Sequence, residues 1–591
     1  MQPAHLVVAC LIPLVLWILI NGLDDLFITL AFLLTRRKPF PWPADSDLDR
    51  ARERRIAILV PLWREHRVIG QMLEHNLAAI RYSAYDVFVG VYPNDEATAR
   101  VVEEAARLHP RVHLVIGPHD GPTSKGDCLN WVYRRMGQYE ALHGVHYDVV
   151  MTHDAEDLVH PDSLRLVNWF SRRYAMVQVP VLALPTSIAE WTHGLYCDEF
   201  AEFQTKDIPM RQRLGGFLPA NGVGTGFARA ALEHLASTRR GLIFDPACLT
   251  EDYENGFRLH ALGYRQIFLP VRFQNGRPVA TREYFPRNFR AATRQRSRWV
   301  AGIVLQGWQN HGWRGAWPQA YWFWRDRKGL VGNLLSPLAN LVFLAGLGNL
   351  AVSAGTGQPW RLAAAVPPWL SHLCLVTYVL ALVQVAVRAW CSARIYGWRF
   401  AAAAPLRTAW GNVVNFVATV AAVRQFTAAR IQRRAMAWRK TDHVYPRPRL
   451  GEVLVHMRTL PLSDVETAAG NLPKGLRIGE YLVELQKLSE ENLYRALSLQ
   501  SGIPAGPVTS HEVDRLATRA LPAEAARRWK VLPFRVETGH LHIAIADVPS
   551  AELTRELAVL SALEIRYRLV RPAEFARLAR EYLPVAQGLL P

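Results

Sequence analysis

The sequence predicts an open, mostly parallel α/β sheet domain set between membrane-spanning helices and followed by a smaller α+β domain. Three observations predict it. Short apolar runs alternate with amphipathic stretches between about residues 52 and 328. Long apolar runs lie on both sides of that region. A segment beginning at Arg449 is repeated at Arg477. A chain of 591 residues exceeds one core, so several domains are expected: 1–36, 50–328, 329–428 and 445–591.

The run at 6–34 is too long for a signal-peptide core and long enough to span a bilayer. Arg36, Arg37 and Lys38 follow it, and by the positive-inside rule they place the next domain in the cytoplasm. Asp24 and Asp25 lie inside the run, where a carboxylate marks either a functional site or a headgroup boundary. The sheet domain is expected to place strands at 56–62, 86–92, 113–116, 148–152 and 175–181, the βα alternation of a parallel sheet. Two further spans are expected at 330–354 and 367–387; the loop between them carries only Arg361, and Arg388, Arg394 and Arg399 follow. The stretch 401–426 is interrupted by Pro405, Arg407 and Asn415, and Arg430, Arg433 and Arg434 after it belong on the cytoplasmic face, so it reads as interfacial or re-entrant.

The net charge is +18, and the basic residues crowd beside the apolar runs. Lipid headgroups and phosphorylated ligands are therefore the expected partners, rather than a nucleic-acid polymer. Six scattered cysteines with no CxxC pair exclude a disulfide framework and a structural zinc site, and suit a reducing compartment.

The strand ends carry the chemistry, because ligands of such sheets bind at the carboxyl ends of the strands. Pro61 and Glu65 follow the first strand, and Asp95 follows the second, where it serves as a helix cap or as an acceptor for a base or ribose. The strand 148–152 ends in His153, Asp154, Glu156 and Asp157, a carboxylate cluster suited to Mg²⁺ or Mn²⁺. His153 reads as a packed or hydrogen-bonded residue. Thr250-Glu251-Asp252 opens a helix; an acid there caps the helix or deprotonates an acceptor hydroxyl. Gln295-Arg296-Ser297-Arg298-Trp299 joins cations able to hold a diphosphate with an indole able to stack on a sugar.

In order and spacing these motifs, from about residue 56 to 299, resemble the family 2 glycosyltransferases of the GT-A fold, especially the membrane-bound branch related to cellulose and hyaluronan synthases. The residues that carry the resemblance are Pro61, Glu65, Asp95, Lys125, Asp154, Thr250-Glu251-Asp252 and Gln295-Arg296-Ser297-Arg298-Trp299. It implies an enzyme that takes a sugar from a nucleotide-sugar donor, with Asp95 at the uridine and Lys125 at the base or diphosphate. Asp154 and Glu156 would hold the cation and diphosphate, with Glu251 and Asp154 beside the base Asp252. Arg298 and Trp299 would sit at the acceptor and diphosphate, and Gly224 and Gly226 would line the acceptor site. The family's DxD is here Asp154-Ala155-Glu156 followed by Asp157, which leaves Glu156 and Asp157 as alternative second ligands. Gly22-Leu23-Asp24-Asp25-Leu26-Phe27, the Asp154-Ala155-Glu156-Asp157 run and Trp438-Arg439-Lys440-Thr441-Asp442-His443 resemble a narrower bacterial inner-membrane branch. That branch implies synthesis and export of a surface polysaccharide with an outer-membrane partner.

In the last domain Arg449-Leu450-Gly451-Glu452-Val453-Leu454 recurs as Arg477-Ile478-Gly479-Glu480-Tyr481-Leu482, an offset of 477 − 449 = 28. Leu460 and Val465 recur as Leu488 and Leu493. Each copy is expected to be a helical hairpin, followed by a small α/β unit with strands at 531–536 and 541–545. The repeat resembles the N-terminal domain of type II secretion and pilus ATPases, one branch of which binds cyclic di-GMP. That resemblance implies cyclic di-GMP as an allosteric activator, held by Arg449, Leu450, Gly451, Leu454, Arg477, Ile478, Gly479, Leu482 and Gln500. Leu472 stands where the first copy would need its Gln. Arginine suits phosphate or guanine, and glycine allows close approach of a backbone; a protein-docking module built of packed hairpins is the other reading. No GxxxxGK[ST] loop occurs, which argues against an ATPase. The leading function is thus a processive, inverting polysaccharide synthase acting on a growing glycan. A single-transfer enzyme acting on a lipid carrier and a non-catalytic membrane scaffold are its rivals.

Overall fold

A computed structural model describes residues 3–274, 276–313, 315–357, 366–434, 436, 450–457, 459–473, 475–501, 503–537 and 539–583. Arg361, the Trp438-to-His443 motif and Arg449 lie outside them. The chain divides into two compact units, one of Met1–Met72 with Ile80–Pro446 and one of Leu73–Ala79 with Arg447–Pro591.

A seven-stranded sheet organises the first unit. Its strands are β1 (Ile56–Pro61), β2 (Tyr85–Val91), β3 (Val112–Ile116), β4 (Val149–Thr152), β5 (Met176–Gln178), β7 (Thr225–Ala228) and β8 (Gln266–Phe268), in the order β3-β2-β1-β4-β7-β5-β8. All neighbours are parallel except β7, which runs antiparallel to both β4 and β5. Strands β1, β2 and β4 are almost wholly buried, as near-continuous Ile, Val, Leu and Phe runs covered on both faces must be. The expected strand at 175–181 is two, β5 and β6 (Val181–Ala183). A hairpin of β9 (Phe273–Gln274) and β10 (Arg277–Pro278) leads to β11 (Thr281–Glu283), which pairs parallel with β6.

Because β1 and β4 pair in parallel with Leu59 opposite Thr152, the loops after them leave the sheet side by side. Helices α1 (Pro3–Thr35) and α2 (Lys125–His143) bracket the first strands in sequence. A Cβ at Gly90 of β2 would lie 2.8 Å from Cys128 Sγ, so glycine there lets α2 close on the sheet and brings Lys125, its first residue, to the strand ends.

Among the other helices, those that bear on the site and the apolar region are α3 (Trp191–Glu202), α4 (Glu251–Ala261), α5 (Phe289–Trp299), α6 (Trp317–Arg327), α7 (Gly329–Thr356) and α8 (Pro368–Tyr396). A further helix, α9 (Ala404–Ile431), packs on α5 and α7. Three helices among the described residues are long and apolar enough to cross a membrane: 11–35 in α1, 317–356 across α6 and α7, and α8. Helix α9 is not one of them.

One face of the far end of α1 is buried in the protein, while Phe27, Leu30, Leu33 and Leu34 are exposed. Ile28 and Phe32 are buried against Met210 and Trp322. Asp24 and Asp25 are both ion-paired: Lys328 Nζ stands 2.8 Å from Asp24 and 3.1 Å from Asp25, Arg325 binds both, Tyr321 donates to Asp24 at 2.6 Å, and Gln384 donates to Asp25.

Helix α3 presents Asp198, Glu199 and Glu202 to three other helices. Glu202 takes Lys206 and Arg388 at 2.7 Å each, Glu199 takes Arg296 at 2.7 Å, and Asp198 takes Arg407 and Ser392 at 2.6 Å each. Arg407 is fully buried, and a Cβ at Gly194 would lie 2.7 Å from its Cδ. A buried ion pair loses most when one partner alone is removed.

In the second unit the hairpins are α10 (Leu450–His456) with α11 (Leu462–Gly470), and α12 (Ile478–Glu484) with α13 (Glu490–Ser501). Their starts differ by 478 − 450 = 28 and 490 − 462 = 28, the sequence offset. A sheet of β12 (Val531–Glu537), β13 (His540–Ile545) and β14 (Glu564–Leu569) follows; β14, parallel to β13, was not anticipated because its outward Glu564, Arg566 and Arg568 mask the apolar face.

Asp198→Asn is expected to leave the Arg407 guanidinium buried without its counter-charge and to cost roughly 3–5 kcal/mol, read as a lower unfolding temperature of the full chain in lipid nanodiscs.

Candidate active site

The loop after β4, the start of α2 and the start of α4 converge on one group, the Lys125 ammonium. Its Nζ lies 2.7 Å from Asp154 Oδ1 and 2.9 Å from Oδ2. Burial alone would lower the pKa of Lys125; the charges of Asp154, Glu251 and Asp252 overcome it and raise the pKa. Asp252 is raised by burial, with Lys125 and Arg298 opposing. Burial and then the adjacent Asp252 charge push Glu251 up to about 7.

Asp252 Oδ1 accepts the Tyr253 backbone N–H at 2.8 Å. Gly222, at φ +77, passes directly over this carboxylate; a Cβ there would stand 2.6 Å from Asp252 Oδ2 and 3.4 Å from Lys125 Nζ. Gly224, at φ +60, lies against Thr281, and Gly226 faces Val167. Of these glycines Gly222 thus approaches the charged cluster most closely. Its signal in the sequence was an Asn221-Gly222 pair before the named Gly224-Thr225-Gly226.

The carboxylates after β4 divide into two kinds. Asp157 is fully buried and turned back on the strand, accepting the Asp154 N–H at 3.0 Å and bonding His153 Nδ1 at 2.7 Å. His153 is thus hydrogen-bonded. Glu156 instead lies where its charge reaches Glu283, the last residue of β11. Burial and then the charges of Glu156, Asp157 and Asp154 push the Glu283 carboxyl well above its ordinary range. Glu283 was missed in the sequence. No signal in the sequence marked it, because β11 is only Thr281-Arg282-Glu283, a polar run of three residues. Hard oxygen donors in mutual repulsion fit a hard divalent cation chemically. Among the described residues, however, no three such side chains already surround one metal position.

Pro61 closes β1. Asp95 caps the helix Glu96–Leu108 through the Thr98 N–H, and its other oxygen accepts the Arg64 N–H at 2.5 Å, fixing the loop that follows Pro61. Glu65 is buried, with its own N–H bonded to Thr98 at 3.0 Å. Trp63 meets Tyr92 edge-on at 5.4 Å beside this loop.

Helix α5 sorts its motif by face. Gln295 and Arg298, one turn apart, share a face, and the Arg298 charge acts on Glu251 and Asp252. Arg296 and Trp299 share the other. Arg296 is buried over the Tyr196 ring at 4.3 Å and donates to Asn415 of α9 at 2.7 Å; Trp299 packs with Tyr196, Phe200 and Phe285. Those two residues join α5 to α3 and α9 rather than lining the charged cluster.

In the second unit Arg477 is well exposed, bonding both Asp547 oxygens at 2.8 and 2.7 Å and Glu480 at 3.0 Å. Leu454 and Leu482 are fully buried in the domain core, and Leu450 and Ile478 pack against it. The repeat glycines face protein, not an open surface: a Cβ at Gly451 would meet Val465 at 2.5 Å, and one at Gly479 would meet Leu493 at 2.6 Å and Leu450 at 2.7 Å. Since 465 − 451 = 14 and 493 − 479 = 14, the glycine in each copy lets its own hairpin close. Gln500 lies in the last turn of α13.

Residues 53–302 match the family described as glycosyltransferase like family 2, and residues 501–589 match the MshEN domain. The first match contains every strand of the seven-stranded sheet, α5 and its motif; the second begins where the repeated hairpins end. The chain is 35% identical over 599 residues to the bacteriophage adsorption protein B of Escherichia coli strain K12, covering 95% of this chain and 79% of that protein. The bacteriophage N4 adsorption protein B of Escherichia coli O157:H7 matches to the same extent. Among solved structures, the mannosyltransferase PcManGT from Pyrobaculum calidifontis in complex with GDP-Man and Mn²⁺ is similar over 68% of this chain and 99% of its own, at 19% identity and a TM-score of 0.42. A structure of MshE with cdg is similar over 23% of this chain and 99% of its own, at 25% identity and a TM-score of 0.22.

A carboxyl whose native pKa is raised holds its proton more tightly in the folded than in the unfolded chain. Its contribution to stability is therefore complete below about pH 4.5 and lost as pH rises through about 7. Glu251→Gln cannot ionise, so its unfolding temperature is expected to fall less than that of the wild type between pH 5 and 8, as followed by thermal scans across that range.

Proposed function

The chain belongs to the bacteriophage adsorption protein B family, and from that premise we propose that this family 2 glycosyltransferase polymerises a surface or exported polysaccharide from a UDP-sugar, with inversion, at the cytoplasmic face of a bacterial inner membrane. The observation that carries the reading is Asp252, at the start of α4, beside the Lys125–Asp154 pair. Asp252 takes the proton from the acceptor hydroxyl. The hydroxyl oxygen attacks the sugar C1 from the face opposite the leaving diphosphate, forming the new glycosidic bond as the C1–O bond to phosphate breaks. Lys125 and Arg298 meet the negative charge that gathers on that diphosphate. Asp154 and Glu156, with Glu283 near them, would hold Mg²⁺ or Mn²⁺, which supplies positive charge to the diphosphate when bound. Asp95, with Pro61 and Glu65 beside it, shapes the nucleotide end.

Domains 1–36 and 329–428 would anchor the sheet domain to the bilayer, with an outer-membrane partner for export. The domain 445–591 would bind cyclic di-GMP through Arg449, Arg477 and Gln500 and activate transfer. Its support is the doubled hairpin, the exposed Arg477 and the MshEN match.

The test follows UDP release by purified full-length protein from UDP-glucose, UDP-galactose, UDP-N-acetylglucosamine and UDP-glucuronate while labelled cyclic di-GMP is titrated. Release that requires a divalent cation, rises on saturation with cyclic di-GMP in wild type but not in Arg477→Ala, and falls by roughly 10²–10⁴-fold in Asp252→Asn is the expected result. Full release by Asp252→Asn would refute the role of the base, and products one sugar long would replace polymerisation with single transfer.

A further inference from the structure

The turn that carries Asp252 is gripped from behind by the segment 307–328. Tyr253 is 5% exposed. Its N–H orients Asp252 Oδ1, its ring meets Phe217 edge-on at 5.2 Å, and its hydroxyl donates to Asp326 Oδ2 at 2.6 Å. Burial and then the Asp326 charge raise its phenol well above the ordinary value, so the hydroxyl stays a donor. Asp326 is held in turn by Arg211, bidentate at 2.7 and 2.9 Å, and Arg211 also donates to the Phe217 carbonyl at 2.7 Å. Glu254, the next residue of the turn, bonds His311 Nε2 at 2.6 Å. Thr250, before it, lies under Gly302, where a Cβ would stand 2.5 Å from Thr250 Oγ1.

Helix α6 ends in Arg325, Asp326 and Arg327, Lys328 follows as its cap, and these consecutive side chains diverge. Asp326 reaches Tyr253. Arg327 donates to the carbonyls of Gly312 at 2.5 Å and Gly307 at 3.3 Å. Arg325 and Lys328 bind Asp24 and Asp25 of α1. One helix end is therefore bonded on one side to the active-site turn and on the other to an apolar helix that would cross the membrane.

We infer that Asp326 is a positioning residue that acts on Asp252 through Tyr253, and that α6 passes the position of α1 to the active-site turn. The inference rests on the reading of Asp252 as the base. A proton acceptor displaced by about 1 Å can lose on the order of 10²-fold in rate, so a single hydroxyl distant from the reacting atoms suffices for a kinetic effect.

The full-length chain in lipid nanodiscs tests this with Tyr253→Phe, which removes one oxygen and keeps the ring against Phe217. Turnover of the UDP-sugar that wild type consumes fastest is expected to fall about 10–100-fold in kcat, with the donor KM within about twofold and the protein still folded at the assay temperature. Asp326→Asn keeps an acceptor oxygen but takes the counter-charge from Arg211, so it should lower the unfolding temperature as well as kcat, and Tyr253→Phe is the variant that isolates the bond. Hydrogen exchange of the amides at 250–254 should quicken in Tyr253→Phe and in Asp24→Asn. Wild-type kcat and exchange in Tyr253→Phe, beside an inactive Asp252→Asn, would overturn the positioning role and leave the base intact. If Asp252→Asn kept its turnover, the base would fall, and with it the effect on catalysis. Exchange at 250–254 would then decide the mechanical link alone: faster exchange in Asp24→Asn would support it and unchanged exchange would overturn it.

Discussion

A buried carboxylate needs a cation or a proton, because removal from water costs several kcal/mol that only a close partner offsets. This constraint shapes the first unit at both ends. At the strand ends Asp154, Glu251 and Asp252 share Lys125, Arg298 acts on Glu251 and Asp252, and burial beside the Glu156 charge raises the Glu283 carboxyl above its ordinary range. Toward the apolar helices Asp24, Asp25, Glu202 and Asp207 face Lys206, Arg325, Lys328 and Arg388. Four acids meet four bases there, so that network can be neutral without a ligand. At the strand ends the acids outnumber the cations, and a phosphorylated donor arriving with a divalent cation would change that balance. The difference separates a structural network from a site that awaits a substrate.

The apolar runs of β1, β2 and β4 and the acids at their ends were legible because each is local in sequence: a continuous hydrophobic strand, then a turn residue that cannot be core. The strands β7 and β11 were not, being three or four residues long and, in β7, carrying a glycine. With β11 went Glu283, whose place beside Glu156 depends on pairing with β6 across the chain. The motif of α5 was legible as a motif but not in its division of labour. Helical spacing puts 295 with 298 and 296 with 299, yet only packing against α3 and α9 decides which face meets the charged cluster.

Asp24 and Asp25 show the same limit from the membrane side. Their presence in an apolar run raised two readings. The structure pairs them with Arg325 and Lys328, about 300 residues later. The 28-residue repeat was legible as paired hairpins, and the structure reproduces its offset. The purpose of its glycines was not: Gly451 and Gly479 admit Val465 and Leu493, so close backbone approach serves helix packing in each copy.

The most direct test of the account is a structure of the full-length protein with UDP and Mn²⁺ bound. The account predicts the diphosphate beside Asp154 and Glu156 and within reach of Arg298, with the Lys125 ammonium moved from Asp154 toward a phosphate oxygen and Asp252 left facing the open side of the site. UDP bound away from the ends of β1 and β4, or bound there with the Lys125–Asp154 pair unbroken and Asp252 turned into the protein, would contradict it.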